Sequence, residues 1–246
     1  MSLLKVEKIA KCFGQNQVFK DLSFMVEKDE FVSILGPSGS GKSTIFHLIG
    51  GMVTPENGLI ELSGSNILGN RGSISYMPQS PSLMPWRTVL QNVLLGQEVQ
   101  GTKDKAKAEK MLIKAGLADY IHSYPGELSG GMKQRVAFIR ALLSPQSLIC
   151  LDEPFSALDE LTRLDMQKWL LAMWQEHRRT IIFVTHSIEE AIFLSDRVIV
   201  LSPKPAVVSA EFQIPFQRPR QESLLLEDEF LQWKRKISYT LRSGGM

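Results

Sequence analysis

Residues 36–43 read Gly-Pro-Ser-Gly-Ser-Gly-Lys-Ser, a spacing that suits a loop wrapped around phosphate. Gly36, Gly39 and Gly41 let the backbone bend until its amides point at phosphate oxygens, and the helix that follows adds its positive end. Lys42 supplies a cation for β- and γ-phosphate charge, and the Ser43 hydroxyl can ligate magnesium. Leu151-Asp152-Glu153-Pro154 ends an apolar run, the place where ligands gather in open parallel sheets. Asp152 can hold the magnesium through water. Glu153 is then the carboxylate able to polarise an attacking water as general base. A third element, Leu128-Ser129-Gly130-Gly131-Met132, opens a predicted helix, so Ser129 and the glycine amides make a second anion site. A monomer with one nucleotide has little need for two. On the residues alone, an ordinary helix cap with glycine beside it stays open as the alternative.

The elements that carry these loops follow from the pattern. Leu3–Ile9 and Phe31–Leu35 read as short strands, the second leading into the glycine loop. Lys42–Gly50 lacks breakers until Gly50-Gly51 stops it, which predicts a helix. Asn57-Gly58 predicts a turn before a strand pair at Leu59–Leu62 and Ile67. Between about Trp86 and Ser147 the periodicity becomes helical, at Thr88–Leu95, Lys103–Ala115 and Met132–Leu143. Apolar runs then return at Ser147–Leu151, Thr180–Thr185 and Val198–Leu201, which read as buried parallel strands. Leu161–His177 and Phe230–Leu241 read as helices. The alternation predicts an α/β fold with a parallel sheet and an all-helical insertion.

Composition narrows the class. The chain has 246 residues, 43% of them hydrophobic and 22% charged, with a net charge of +2. That balance gives no electrostatic case for a nucleic-acid partner or a membrane-surface protein. No window holds the ~18 consecutive apolar residues that a bilayer requires. The N-terminal Met-Ser-Leu-Leu-Lys-Val-Glu places charge before any apolar stretch and does not read as a signal peptide. Cys12 and Cys150 lack metal-ligand spacing, and Cys150, inside an apolar run, reads as a small buried hydrophobe.

The three elements, in that order, resemble the ATP-binding subunit of an ABC (ATP-binding cassette) transporter, over nearly the whole chain. The resemblance implies a P-loop NTPase (RecA-like) core with an antiparallel β subdomain and an inserted α-helical signature subdomain. It divides 1–246 into a core lobe at 1–85 and 148–215, a helical subdomain at 86–147 and a helical tail at 216–246. ATP and Mg2+ are the implied ligands. The phosphate loop then comprises Gly36, Pro37, Ser38, Gly39, Ser40, Gly41, Lys42, Ser43 and Thr44, with Ser43, Gln79 and Asp152 around the metal. Gln79 matches the hinge glutamine, which touches the metal or the attacking water and moves when the membrane subunit engages. His186, after a predicted strand, matches the switch histidine at the γ-phosphate. Glu153, Lys42, Gln79 and His186 are the implied catalytic set. Phe13 stands where the family stacks an aromatic ring on adenine, a core role being the alternative. Ser129, Gly130 and Gly131 close on the nucleotide of a second copy in a head-to-tail dimer with two ATP molecules sandwiched between the copies. Ser156–Asp159 matches the loop that crosses that interface. The family commonly carries a polar residue where Gly126 stands, and smaller residues at Phe138-Ile139.

Leu83-Met84-Pro85-Trp86, with the tail Ile214-Pro215 and Arg218-Pro219-Arg220, resembles importer subunits for nitrate, sulfonates, taurine and pyrimidine vitamin precursors. Trp86 reads equally as a packed core aromatic. The resemblance implies a peripheral protein on the cytoplasmic face of the membrane, docked on integral permease subunits and served by an extracytoplasmic solute-binding protein. An exporter cassette shares every catalytic motif. A non-transport cassette acting on ribosomes or DNA usually carries two fused cassettes or long coiled-coil insertions, and neither exists here. A GTPase would need a guanine-reading Asn-Lys-x-Asp, which the chain lacks.

Overall fold

The computed structural model describes residues 2–243. Strands β1 (Ser2–Phe13) and β2 (Asn16–Glu27) open the chain. They are joined by a two-residue hairpin in which Gly14 takes φ +60°. β3 (Phe31–Leu35) runs into the glycine loop and α1 (Lys42–Ile49). Then come β4 (Asn57–Leu62), β5 (Ser65–Asn66) and β6 (Ser75–Met77). The helical stretch holds α2 (Val89–Val93), α3 (Leu95–Val99), α4 (Lys105–Lys114) and α5 (Gly130–Leu143). It is followed by β7 (Leu148–Asp152), α6 (Glu160–His177), β8 (Thr180–Val184) and α7 (Ile188–Leu194). β9 (Arg197–Leu201), β10 (Val208–Gln213) and α8 (Asp228–Ser243) complete it. The chain gathers into two compact units: residues up to Ile74 with those from Arg179 onward, and Ser75–Arg178.

In the first unit, β1 lies between β2 and β4 in an antiparallel sheet. Beside β3, β8 and β9 run parallel, and β10 adds antiparallel to β9. β3, β8 and β9 are buried at every position, which explains why they read as continuous apolar runs. Arg197 is buried among them because its guanidinium is fully engaged. It donates to both oxygens of Glu30, at 2.8 and 2.9 Å, and also to Glu211 and the Met25 carbonyl. α8 seats Phe230 against Phe216 and Trp233 edge-on to Phe212.

In the second unit, β6 and β7 pair in parallel, Tyr76 opposite Cys150. Thr88 and Gln91 form a reciprocal capping box that starts α2. The predicted single helix Thr88–Leu95 is instead split, with Leu94 between α2 and α3. Phe138 and Ile139 are buried on α5, and Phe138 meets the Trp169 ring edge-on at 5.3 Å. Burial pushes the Cys150 thiol well up, with the Asp152 carboxylate adding to it, so Cys150 packs as an inert small hydrophobe.

The expected turn at Asn57-Gly58 is the start of β4. Gly58 takes φ +107° and runs so close to β1 that a Cβ would lie 2.6 Å from the Glu7 carbonyl oxygen and 2.7 Å from that of Lys8. Glycine there reflects a close strand approach beside an irregularity in β1, not a turn. Gly58→Ala should lower stability in urea unfolding by about 2 kcal/mol; an unchanged midpoint would show that β1 yields at this point.

Candidate nucleotide site

The glycine loop is shaped by what packs behind it. Gly41 has φ +98°, and a Cβ there would meet Val18 at 2.4 Å and Phe19 at 2.8 Å, so β2 holds the loop from behind. Gly39, also at positive φ, has open space around it at the loop crown. The Ser40 amide donates to the Pro37 carbonyl at 3.1 Å. Lys42 is buried and folds back over the loop, its Nζ donating to the carbonyls of Gly36 at 2.9 Å and Pro37 at 3.1 Å. The Ser40 hydroxyl is buried with no partner among the described residues. A glycine-lined loop with a cation drawn across it and an unspent hydroxyl fits a polyphosphate. Ser43 is exposed and Thr44 half-buried at the start of α1.

Phe13 sits at the β1–β2 hairpin, 49% exposed, with the Lys11 ammonium 5.1 Å from its ring centre. That exposure removes the core alternative and leaves an aromatic face available for stacking. His186 is exposed, two residues past the end of β8 and directly before Ser187, which caps α7 by accepting from the Glu190 amide at 3.2 Å.

In the second unit, β7 delivers Asp152 in a buried position, where the Tyr76 hydroxyl donates to it at 3.1 Å. Burial and that carboxylate push the Tyr76 hydroxyl far up, so it stays a donor. The next residue, Glu153, takes φ +43°, in the left-handed region that non-glycine residues avoid. Ser156 locks this turn, its amide and its hydroxyl both donating to the Glu153 carbonyl, at 3.2 and 3.0 Å. Gln79 Nε2 donates to the Glu153 carboxylate at 3.4 Å and to Ser156 Oγ at 3.2 Å. Gln79, Glu153 and Ser156 are thus brought together, with the carboxylate pre-aimed by a strained backbone.

Ser129 is exposed and caps α5, accepting from the Met132 amide at 3.3 Å. Gly130 lies in open space, whereas a Cβ on Gly131 would come within 3.0 Å of Thr162 on α6. Asp159 caps α6, and the Thr162 amide it accepts holds its carboxyl below the usual range. The N-termini of α5 and α6 are therefore neighbours, with Ser129, Gly130, Asp159 and Glu160 exposed there.

The stretch after Gln79 is held rigidly. Arg140 on α5 donates to the Pro81 and Ser82 carbonyls, at 2.8 and 2.9 Å. Asn92, fully buried, accepts from the Met84 amide and donates to the carbonyls of Met84, Arg87 and Thr88. Trp86 is 71% exposed beside this anchor, so it is no core aromatic. A groove of about 340 Å³ runs along Pro81, Leu83 and Pro85 on one side and Pro125, Gly126 and Lys133 on the other. Tyr76, Arg140 and Asn92 carry no motif of their own. Only the pairing of β6 with β7 and the packing of α2 and α5 reveal their roles.

Residues 19–156 match the ABC transporter family. A formylaminopyrimidine import ATP-binding protein from Halalkalibacterium halodurans is 43% identical, over 87% of this chain and 85% of that one. A nitrate import ATP-binding protein from Synechocystis is 39% identical, over 93% and 90%. Among solved structures, a dimeric post-hydrolysis ATP-binding cassette bound to ADP and Pi superimposes with a TM-score of 0.74 at 28% identity. It covers 87% of this chain and 100% of that one. The P-loop NTPase architecture expected from the sequence is the one observed.

Lys42→Ala removes the loop's cation and should weaken ATP binding about 10- to 100-fold, as read by titration calorimetry. Undiminished affinity would remove Lys42 from the site.

Proposed function

The chain belongs to the ABC transporter ATP-binding family, and from that premise we propose that it energises import of a small solute through a partner permease. It is an ATPase. The solute class we propose is that of its relatives, whose names include formylaminopyrimidine, taurine, aliphatic sulfonate and nitrate import. The observation that carries this reading is the bridge from Gln79 to the Glu153 carboxylate and the Ser156 hydroxyl. One residue joins the proposed base to the start of the rigid 79–86 stretch and its groove.

In this reading the backbone amides of 36–43 and the Lys42 ammonium bind the phosphates, and Phe13 stacks on the adenine. Glu153 takes a proton from water as its oxygen bonds to the γ-phosphorus. The β–γ bridging P–O bond breaks, leaving ADP and inorganic phosphate. His186 hydrogen-bonds the γ-phosphate and registers its loss. Magnesium would neutralise phosphate charge, with Ser43, Gln79 and Asp152 around it. Ser129, Gly130, Gly131 and Asp159 serve the nucleotide of a second copy, an arrangement supported by the dimeric cassette with ADP and Pi.

ATP binding closes the dimer and hydrolysis reopens it, which biases a two-state membrane partner. The permease docks at the groove beside Trp86, with a solute-binding protein outside the membrane delivering the solute. Among the described residues no helix is long and apolar enough to cross a membrane. We place the protein peripherally, at the cytoplasmic face.

Glu153→Gln should reduce phosphate release at least about 100-fold while ATP still drives dimer formation on a sizing column. Unchanged turnover would end the general-base role. The same variant, tagged and recovered with ATP from gently solubilised native membranes, should bring down a multi-span permease. Recovery of ribosomal or DNA-repair proteins without a permease would favour a non-transport cassette, and a permease recovered without any solute-binding partner would weaken the import assignment.

A further inference from the structure

α7 is a helix of seven residues, about 10 Å long, too short to be stable without tertiary support. Its N-terminal end is tied to the histidine that precedes it. The Thr185 hydroxyl is in contact with the Glu190 carboxylate and accepts from the Ser187 amide at 3.0 Å, while Ser187 caps the helix. His186 lies between these two anchors. At the other end, the last carbonyls of a helix have no partner inside it. Here the Ser195 amide takes Ala191, and two arginines of the tail take the rest. Arg220 Nη1 donates to the carbonyls of Ile192 at 2.8 Å, Phe193 at 3.0 Å and Ser195 at 2.7 Å. Its Nε and Nη2 donate to Phe216 O. Arg218 donates to the Leu194 carbonyl and, at 2.8 Å, to Asp196, whose other oxygen accepts from the Phe31 amide at the start of β3.

Carbonyls 192–195 are therefore all met by guanidinium donors. A cation there also complements the negative end of the helix. Arg220 is buried, and burial pulls its guanidinium down only to about 10, so it remains charged near neutrality. Keeping a buried cation in place demands a full set of acceptors, and the cradle of carbonyls provides it. Along α7, Lys234 of α8 adds an ion pair to Glu189 at 2.8 Å. The tail thus fastens the helix that follows His186 to the strand that leads into the phosphate loop.

We propose that Arg220, assisted by Arg218, is a positioning residue for ATP hydrolysis: by pinning the C-terminal end of α7 it fixes where His186 stands at the opposite end. This rests on the reading of His186 as the γ-phosphate contact. Arg220 touches no nucleotide in this scheme, so its loss should be felt in turnover and not in ATP affinity.

The test is a double-mutant cycle on the full-length protein, with folding checked by near-UV circular dichroism. Arg220→Ala should lower kcat about tenfold and leave the KM for ATP within about twofold. In a His186→Ala background the same change should bring almost no further loss, because the two residues act through one path. Should the alanine variant fail to fold, Arg220→Lys keeps a cation but loses the planar fork. It is read the same way, with a smaller, about threefold loss. An unaltered kcat, or a loss that multiplies with that of a slowed His186→Ala protein, overturns the positioning role alone. A His186→Ala protein at wild-type speed overturns the assignment of the histidine itself, and the route from Arg220 falls with it.

Discussion

A loop that offers bare amides to a polyanion has no side chains with which to pack itself, so its shape must be imposed from outside. In this protein that burden falls on β2 behind Gly41 and on the buried strand β3 that feeds the loop. Val18 and Phe19 occupy the space a Cβ would need, and Gly41 also takes a positive φ, so two separate features require glycine there. The Lys42 ammonium ties the carbonyls of Gly36 and Pro37 together across the loop. The antiparallel sheet of the first unit therefore shapes the glycine loop, although none of the loop's own residues lie in it.

A comparable logic governs the acidic end of β7. Glu153 occupies a backbone conformation that side chains disfavour, and such strain persists only where the surroundings over-determine it. Ser156 supplies that constraint twice over from three residues away, and Gln79 adds a tie to the carboxylate. Asp152, by contrast, needs no strain, because the end of a buried strand and the Tyr76 hydroxyl already fix it. Two adjacent carboxylates are thus held by different means, one steadied by the sheet and one by a turn.

The phosphate loop, the buried strands and the cap at Ser129 were legible in the sequence because each is set by residues a few positions apart, whereas the cap at Asp159 was not read. Chain-distant partners explain what was not. β2 went unread although Leu22, Phe24 and Val26 alternate with exposed Ser23, Met25 and Glu27, because exposed Lys20-Asp21 interrupts that strand period and only the pairing with β1 completes it. Gly58 looked like a turn because a glycine after asparagine is ambiguous until the neighbouring backbone is known. Gln79 with Glu153, Tyr76 with Asp152 and Arg220 with α7 join residues tens of positions apart, and no local period encodes them. The tail arginines were visible as a pattern of family resemblance, yet their carbonyl partners come from α7 and the turn after it.

The exposure of Trp86 has an optical consequence. The chain holds four tryptophans. Trp169 packs on Phe138, Trp174 is buried with Arg178 over its ring, and Trp233 lies between Phe212 and Lys236. Trp86 alone among them has most of its indole in water, so the red-shifted part of the intrinsic emission comes from this one residue, next in sequence to Pro85 of the groove. A partner that covers Trp86 moves this component to the blue while the other three indoles stay unchanged, giving the protein a built-in fluorophore at its surface.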